Sequence, residues 1–116
     1  MEKYLYLYRE NFGLPYSVLR YPNIYGPRPS VCLDAGVVAI FAPRMLAGQE
    51  VIINGSGEQE RDFLYISDCI QANLLAMEKG QGQTYNLGWG VGISINEIFT
   101  RLKALTNSPR PATHGP

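Results

Sequence analysis

Cysteine and histidine are scarce in this sequence, and neither sign of charge is in surplus. Thiol and imidazole groups are confined to Cys32, Cys69 and His114. A structural zinc site takes about four such ligands, and the cysteines form no C-x-x-C pair, so a metal centre of that kind is excluded. Both thiols are read as reduced and structural, the usual state of a free cysteine packed as a small hydrophobe. Ten basic and ten acidic side chains leave a formal net charge of zero. With no basic surplus to neutralise a phosphate backbone, nucleic acid is not expected as a partner, and nothing in the composition favours an anionic membrane. The longest apolar run, residues 37–42, falls far short of the roughly 20 residues that span a bilayer. Met1-Glu2-Lys3-Tyr4 leads into no small-residue cleavage site, so the expected setting is cytoplasmic. Internal repeats and low-complexity runs are absent.

What is present reads as one small globular unit. Hydrophobic residues make up 46% of the 116 positions and charged residues 17%, a balance that supports a core. Residues 1–107 form the expected unit and residues 108–116, with three prolines, a Pro-rich linker-like tail. Glu2 to Phe12 has good helix formers and no Gly or Pro before Gly13. Its apolar residues cover most of the circumference, which calls for cover on more than one side. No capping residue precedes it, so the chain is expected to begin inside a helix. Tyr16 to Tyr21 reads as a buried strand, and helix, short loop, strand is the rhythm of a parallel α/β sheet. Pro22, Gly26, Pro27 and Pro29 predict an irregular loop of fixed backbone.

A second helix is predicted from Asp34 or Ala35 to about Ala47, with Pro43 kinking or dividing it and Gly48 closing it. Glu50 to Asn54 and Arg61 to Ile66 read as strands on either side of a Gly55-Ser56-Gly57 turn. Ser67 and Asp68 offer N-caps for a helix from Asp68 to Lys79. Thr84 to Leu87 reads as a strand. Ser94 and Glu97 form a capping box before Ile98, Phe99, Leu102 and Leu105 at helical spacing, with the helix ending near Asn107. His114 in the tail is read as solvated. Gly88-Trp89-Gly90-Val91-Gly92 imitates a dinucleotide fingerprint, but its spacing is G-x-G-x-G and no acidic residue follows about 20 positions on. It is read as a structural turn.

Two side chains stand out chemically. Asn23 lies just beyond the carboxyl end of a predicted strand, where open α/β sheets bind ligands. Its amide suits phosphate or sugar oxygens, and equally suits bonds within its own loop. Arg61 follows a glycine turn, and its guanidinium suits a phosphate bidentately. It equally suits a surface pair with Asp62, Glu58 or Glu60.

The run Arg20-Tyr21-Pro22-Asn23-Ile24-Tyr25-Gly26-Pro27-Arg28 resembles the signature loop of the extended short-chain dehydrogenase/reductase family, in particular its NAD-dependent nucleotide-sugar epimerases (UDP-glucose 4-epimerase-like) and dehydratases. Further resemblances follow in order. They are residues 2–16, residues 36–48, Asn54 through Phe63 (similar to G-x-G-x-Q-x-R-D-F), and Tyr85-Asn86-Leu87-Gly88. Together they cover nearly the whole chain. The resemblance implies an α/β fold, with a partial Rossmann-type sheet and a small substrate-binding α/β subdomain. It implies a carboxyl-terminal fragment that binds a UDP- or dTDP-hexose, with NAD held by the parent enzyme and not by this chain alone.

By position, the resemblance places Tyr21, Pro22 and Asn23 between the nicotinamide end of NAD and the sugar diphosphate. Tyr21 thereby serves cofactor and substrate, and Asn23 bonds the diphosphate or sugar. Val37 and Val38, after Gly36, match a nucleotide-holding segment that must act through backbone groups. Ile52, Ile53 and Asn54 match a strand edge that reads the base, and Arg61 matches the diphosphate arginine. No catalytic residue is assigned. The family's Tyr-x-x-x-Lys and cofactor glycines are expected upstream of Met1, and an R-x-G-E/D element after Pro116. The loop 30–34 and the absent half are expected to set specificity. A homodimer through the amino-terminal helix is expected. A stand-alone binding module and a ligand-free oligomerising remnant remain as alternatives.

Overall fold

The computed structural model describes residues 1–29, 35–80 and 82–116. Cys32, the 30–34 loop and a helix start at Asp34 therefore lie outside the described residues. The fold is α/β. It begins with α1 (Glu2–Phe12), which ends where Gly13 turns left-handed at φ 67° and returns its N–H to the Arg9 carbonyl. The conformation costs glycine nothing, having no Cβ to clash. The strand β1 (Ser17–Arg20) runs parallel to β6 (Gln83–Asn86). The helix α3 (Ile66–Lys79) lies against β1, and the Ser17 hydroxyl donates to the Gly80 carbonyl at 2.6 Å just past the helix end. An ion pair fastens α1: Arg20 donates to both carboxylate oxygens of Glu2, at 2.8 and 2.5 Å.

The main core lies elsewhere. The helix α2 (Val37–Leu46) packs on α4 (Ile95–Thr106). Phe41 and Phe99 meet edge to face with centroids 6.3 Å apart, a contact worth about 1 kcal/mol beyond its buried area. Met45, Val51, Ile53, Phe63, Ile95 and Ile98 complete the buried cluster. Val51 and Ile53 come from the segment carrying β3 (Ile52–Asn54), which is parallel to β8 (Thr113–Gly115). The strand β2 (Asn23–Tyr25) is parallel to β5 (Phe63–Tyr65), and β4 (Glu60–Arg61) is antiparallel to β7 (Ile93–Ser94). The described strands thus form four separate pairs. The chain extends over 58 × 27 × 27 Å with a radius of gyration of 18.0 Å, against about 13–14 Å for a compact chain of this size.

Several expectations change in detail. The Pro-rich loop after Tyr21 contains β2, because the Asn23 N–H, one residue past Pro22, finds the Asp62 carbonyl at 3.0 Å. The strand expected over 61–66 divides at Asp62, since residues 60–61 and 63–65 pair with different partners. Pro43 does not divide α2. It falls in the last turn, so the one bond that its missing N–H removes, to the Ala39 carbonyl, lies near the helix end, and α2 runs on to Leu46. Tyr65 is the N-cap residue of α3, which has no side-chain cap; Ser67 and Asp68 lie in its first turn. Ser94 does cap α4, its hydroxyl accepting the Glu97 N–H at 3.1 Å.

The tail, expected as a linker, is docked. Ser108 is buried, Ala112 packs on the core, and β8 runs beside β3. His114 is exposed but not merely solvated, with Nδ1 2.9 Å from the Gly55 carbonyl. Prolines at 109 and 111 leave the tail enough free N–H groups to pair, and Thr113 donates to the Val51 carbonyl.

Candidate functional site

A cavity of about 520 Å³ opens where β2 and the loop after it face the start of α2. Asn23, Arg28, Gly36, Val37, Val38 and Phe63 are among its walls. Asn23 is half-buried at the beginning of β2. Its backbone is held by Asp62, and its side-chain amide makes no hydrogen bond among the described residues. Opposite it, α2 starts with Gly36 as N-cap, with no side-chain cap bond among the described residues and no acidic residue in its first turn. The first-turn amides of such a helix have no intrahelical acceptor and present partial positive charge. Val37 and Val38 thus offer backbone donors to the space that Asn23 faces.

The other expected site residues do not line this cavity. Tyr21 lies in a second groove with Pro15, Tyr16, Leu19 and Met77, and its hydroxyl donates to Asn73 Oδ1 at 2.7 Å. Pro22 joins the two regions. In β3, Val51 and Gly55 bond to β8 on one edge. Alternation along a strand turns the main-chain groups of Ile52 and Asn54 to the other edge, and Ile52 is exposed there. Arg61 is exposed in β4, and its Nη1 donates to its neighbour's carbonyl, Glu60 O, at 2.7 Å. Among the described residues it forms no ion pair with Glu58, Glu60 or Asp62.

Asp62 was not singled out from sequence, yet three segments meet on it. Its carbonyl accepts the Asn23 N–H, and its carboxylate accepts the Trp89 and Gly90 N–H groups at 3.2 and 2.7 Å. The turn at 88–92 is therefore occupied by a protein carboxylate. A dinucleotide diphosphate needs those same amides and would face a like charge. The residues present do not fit NAD at this turn. Arg28 was also missed. It has φ 58° and is the one guanidinium among the described cavity-lining residues. Only its place in the Tyr25-Gly26-Pro27-Arg28 run hinted at it.

Gly26 shows how tightly the cavity floor is built, since a Cβ there would strike the Ile66 side chain. Tyr25 and Tyr65 meet edge to face beside it, with centroids 5.4 Å apart. Among the described residues, no three or more His, Cys, Asp or Glu gather to hold a metal ion, and no helix is long and apolar enough to cross a membrane.

Comparison with known proteins places this geometry. Residues 1–88 match the NAD dependent epimerase/dehydratase family. The structure of UDP-glucose 4-epimerase from Thermotoga maritima with UDP-glucose superposes with a TM-score of 0.96 at 48% identity, over 99% of this chain and 37% of that one. UDP-glucose 4-epimerase from Thermus thermophilus, solved with NAD, gives 0.88 at 34% identity, over 99% and 38%. UDP-glucose 4-epimerase of Mycolicibacterium smegmatis is 38% identical over 117 aligned residues, covering 99% of this chain and 37% of its own length. The chain spans about a third of the length of the relatives it matches.

Proposed function

The chain belongs to the NAD dependent epimerase/dehydratase family, and from that premise we propose that it supplies nucleotide-sugar diphosphate contacts in a UDP-glucose 4-epimerase-like enzyme and performs no chemistry alone. It corresponds, on the order of its motifs, to the carboxyl-terminal side of that enzyme. The observation that carries the reading is the pairing of the Asn23 amide with the uncapped start of α2 across one cavity. Neutral donors and a helix amino terminus suit an anionic diphosphate. Arg61 adds a guanidinium that no carboxylate occupies among the described residues, and the exposed edge at Ile52, beside an Asn54 carbonyl that takes the Gln59 side-chain amide, suits a base read through main-chain groups. Tyr21 stands on the cofactor side. NAD, present in a related solved enzyme, belongs to the parent in this reading, and no step of it is assigned to these residues.

Isothermal titration with UDP-glucose tests this. Saturable heat is expected, and Arg61→Ala should weaken binding about tenfold, the loss of a charge-assisted contact. A folded chain that gives no heat, or an Arg61→Ala variant that binds as well as the parent, removes the assignment. Titration with NAD should give no tight binding.

A second element of the proposal concerns assembly. No residue of α1 is buried, and Tyr4, Tyr6, Leu7, Tyr8 and Phe12 are all exposed. An apolar face of that size favours a partner, and a second copy meeting α1 is the simplest. Sedimentation velocity should show a concentration-dependent dimer that Tyr4→Ser with Tyr8→Ser dissociates. A monomer at all concentrations rejects it.

A further inference from the structure

Glycine spacing in the 88–92 turn has a cause that lies on another strand. A Cβ at Gly88 would strike the Asp62 carboxylate, and one at Gly92 would lie 2.5 Å from Glu60 Oε2. Gly90, with φ 73°, adopts a backbone that favours glycine. The two acidic side chains, two residues apart, thus press into the two gaps that the outer glycines leave. The same alternation sends Arg61, between them, to the opposite face.

Asp62 does more than fill a gap. Its carboxylate takes the Trp89 and Gly90 amides, just past the carboxyl end of β6. Its carbonyl takes the Asn23 amide, just past the carboxyl end of β1, the parallel neighbour of β6. The Leu87 N–H donates to the Arg20 carbonyl and extends that pairing up to the turn. One residue therefore binds both exits of a parallel strand pair, and its chain neighbour is Arg61.

We propose that Asp62 is a positioning residue of the nucleotide-sugar site: by joining the Asn23 backbone to the 88–92 turn, it holds Asn23 and Arg61 in fixed relation for one diphosphate. This rests on the reading that Asn23 and Arg61 contact that diphosphate. Asp62 touches no ligand in the proposal. Its effect on binding passes through the two residues it holds.

The test is an NMR titration of the ¹⁵N-labelled chain with UDP-glucose, for the parent, Asp62→Ala, Asp62→Asn, Arg61→Ala and the Asp62→Ala/Arg61→Ala double variant. Asp62→Ala is expected to weaken UDP-glucose about tenfold, and in the Arg61→Ala background by clearly less, about threefold, the remainder passing through Asn23. That reduction in effect marks action through Arg61, which general destabilisation would not produce. Asp62→Asn, keeping one acceptor oxygen, should fall between and should move the Trp89 and Gly90 amide signals while those of α4 stay.

If Asp62→Ala fails to fold, Gly88→Ala serves in its place, since its new Cβ must displace the Asp62 carboxylate while leaving Arg61 intact. Asp62 variants that bind like the parent, with Arg61→Ala weakened, overturn the inference and leave the site reading standing. Equal Asp62→Ala effects in both backgrounds also overturn it. No saturable shift in the parent, or none lost in Arg61→Ala, overturns the site reading itself and the inference with it.

Discussion

Phe99 and Phe12 are the same side chain in opposite surroundings. Phe99 is 8% exposed, on a helix whose apolar stripe meets α2, β3 and the docked tail; Phe12 is 75% exposed at the end of α1. The contrast extends to the elements around them. The α2–α4 region buries Phe41, Met45, Ile95, Ile98 and Phe99, and its strands cover those side chains. The region of α1, β1, β6 and α3 buries little beyond Cys69 and Gly80, and leaves Ile70, Leu74, Leu75 and Met77 exposed. One region has a core, and the other consists of elements joined mainly by polar clasps such as Glu2–Arg20, Arg9–Gly82 and Ser17–Gly80. Burial supplies the larger share of stability, so the two regions should differ sharply in response to mutation.

The strongest way to break that comparison is truncation of the two phenylalanines. Phe99→Ala should cost about 3–5 kcal/mol in urea unfolding, whereas Phe12→Ala should stay within about 0.5 kcal/mol at concentrations too low for the proposed dimer. Similar losses at both sites would mean that α1 is covered in solution. Removing the cap of α4 comes next. Ser94→Ala leaves the Glu97 N–H without its acceptor and should cost about 1 kcal/mol, whereas a matching change at the uncapped start of α1 has no cap to lose.

The smallest expected effect sharpens the picture of the polar region. The Arg20 hydrogen bonds, aided by the guanidinium charge, hold the Glu2 carboxyl below its ordinary value. A group depressed on folding contributes stability above its unfolded pKa, about 4.3 for Glu, and loses it as pH falls through the lower folded value. Hydrogen exchange in α1 should therefore accelerate, beyond its intrinsic pH dependence, as pH drops below about 4. The α2–α4 amides should not respond. Glu2→Gln should abolish the effect, and retention of it would assign the pH dependence to another group.

How much of this was legible in the sequence follows the same division. Elements with local signals were readable: α1 and Gly13, and α4 with its Ser94 cap and Asn107 end. Features set by distant partners were not. The break between β4 and β5 falls at Asp62 because residues far along the chain, Ile93 and Asn23, claim the two sides. The docking of 113–115 depends on Val51 and Gly55, and no spacing within the tail encodes that. At the site, Asn23, Val37 and Val38 line one cavity, because one loop and one helix start bring them there. Arg61 and Tyr21 lie outside that cavity. Asp62 and Arg28 were passed over: an aspartate between an arginine and a phenylalanine looks like an ordinary surface charge until the glycine turn arrives against it.

The parallel strand pairs have a consequence for time rather than for stability. Ser17 meets Gln83, and Ile52 meets Thr113, so neither pair can form before most of the intervening chain has been organised. The loop entropy of such closures is spent before their contacts reward it. Helices α3 and α4, built from local bonds, can form early on the refolding path, while β1–β6 and β3–β8 close late. During that interval each strand presents unpaired edges to other chains. Refolding yield should accordingly fall as protein concentration rises, with the shortfall appearing as aggregate formed before β8 has docked.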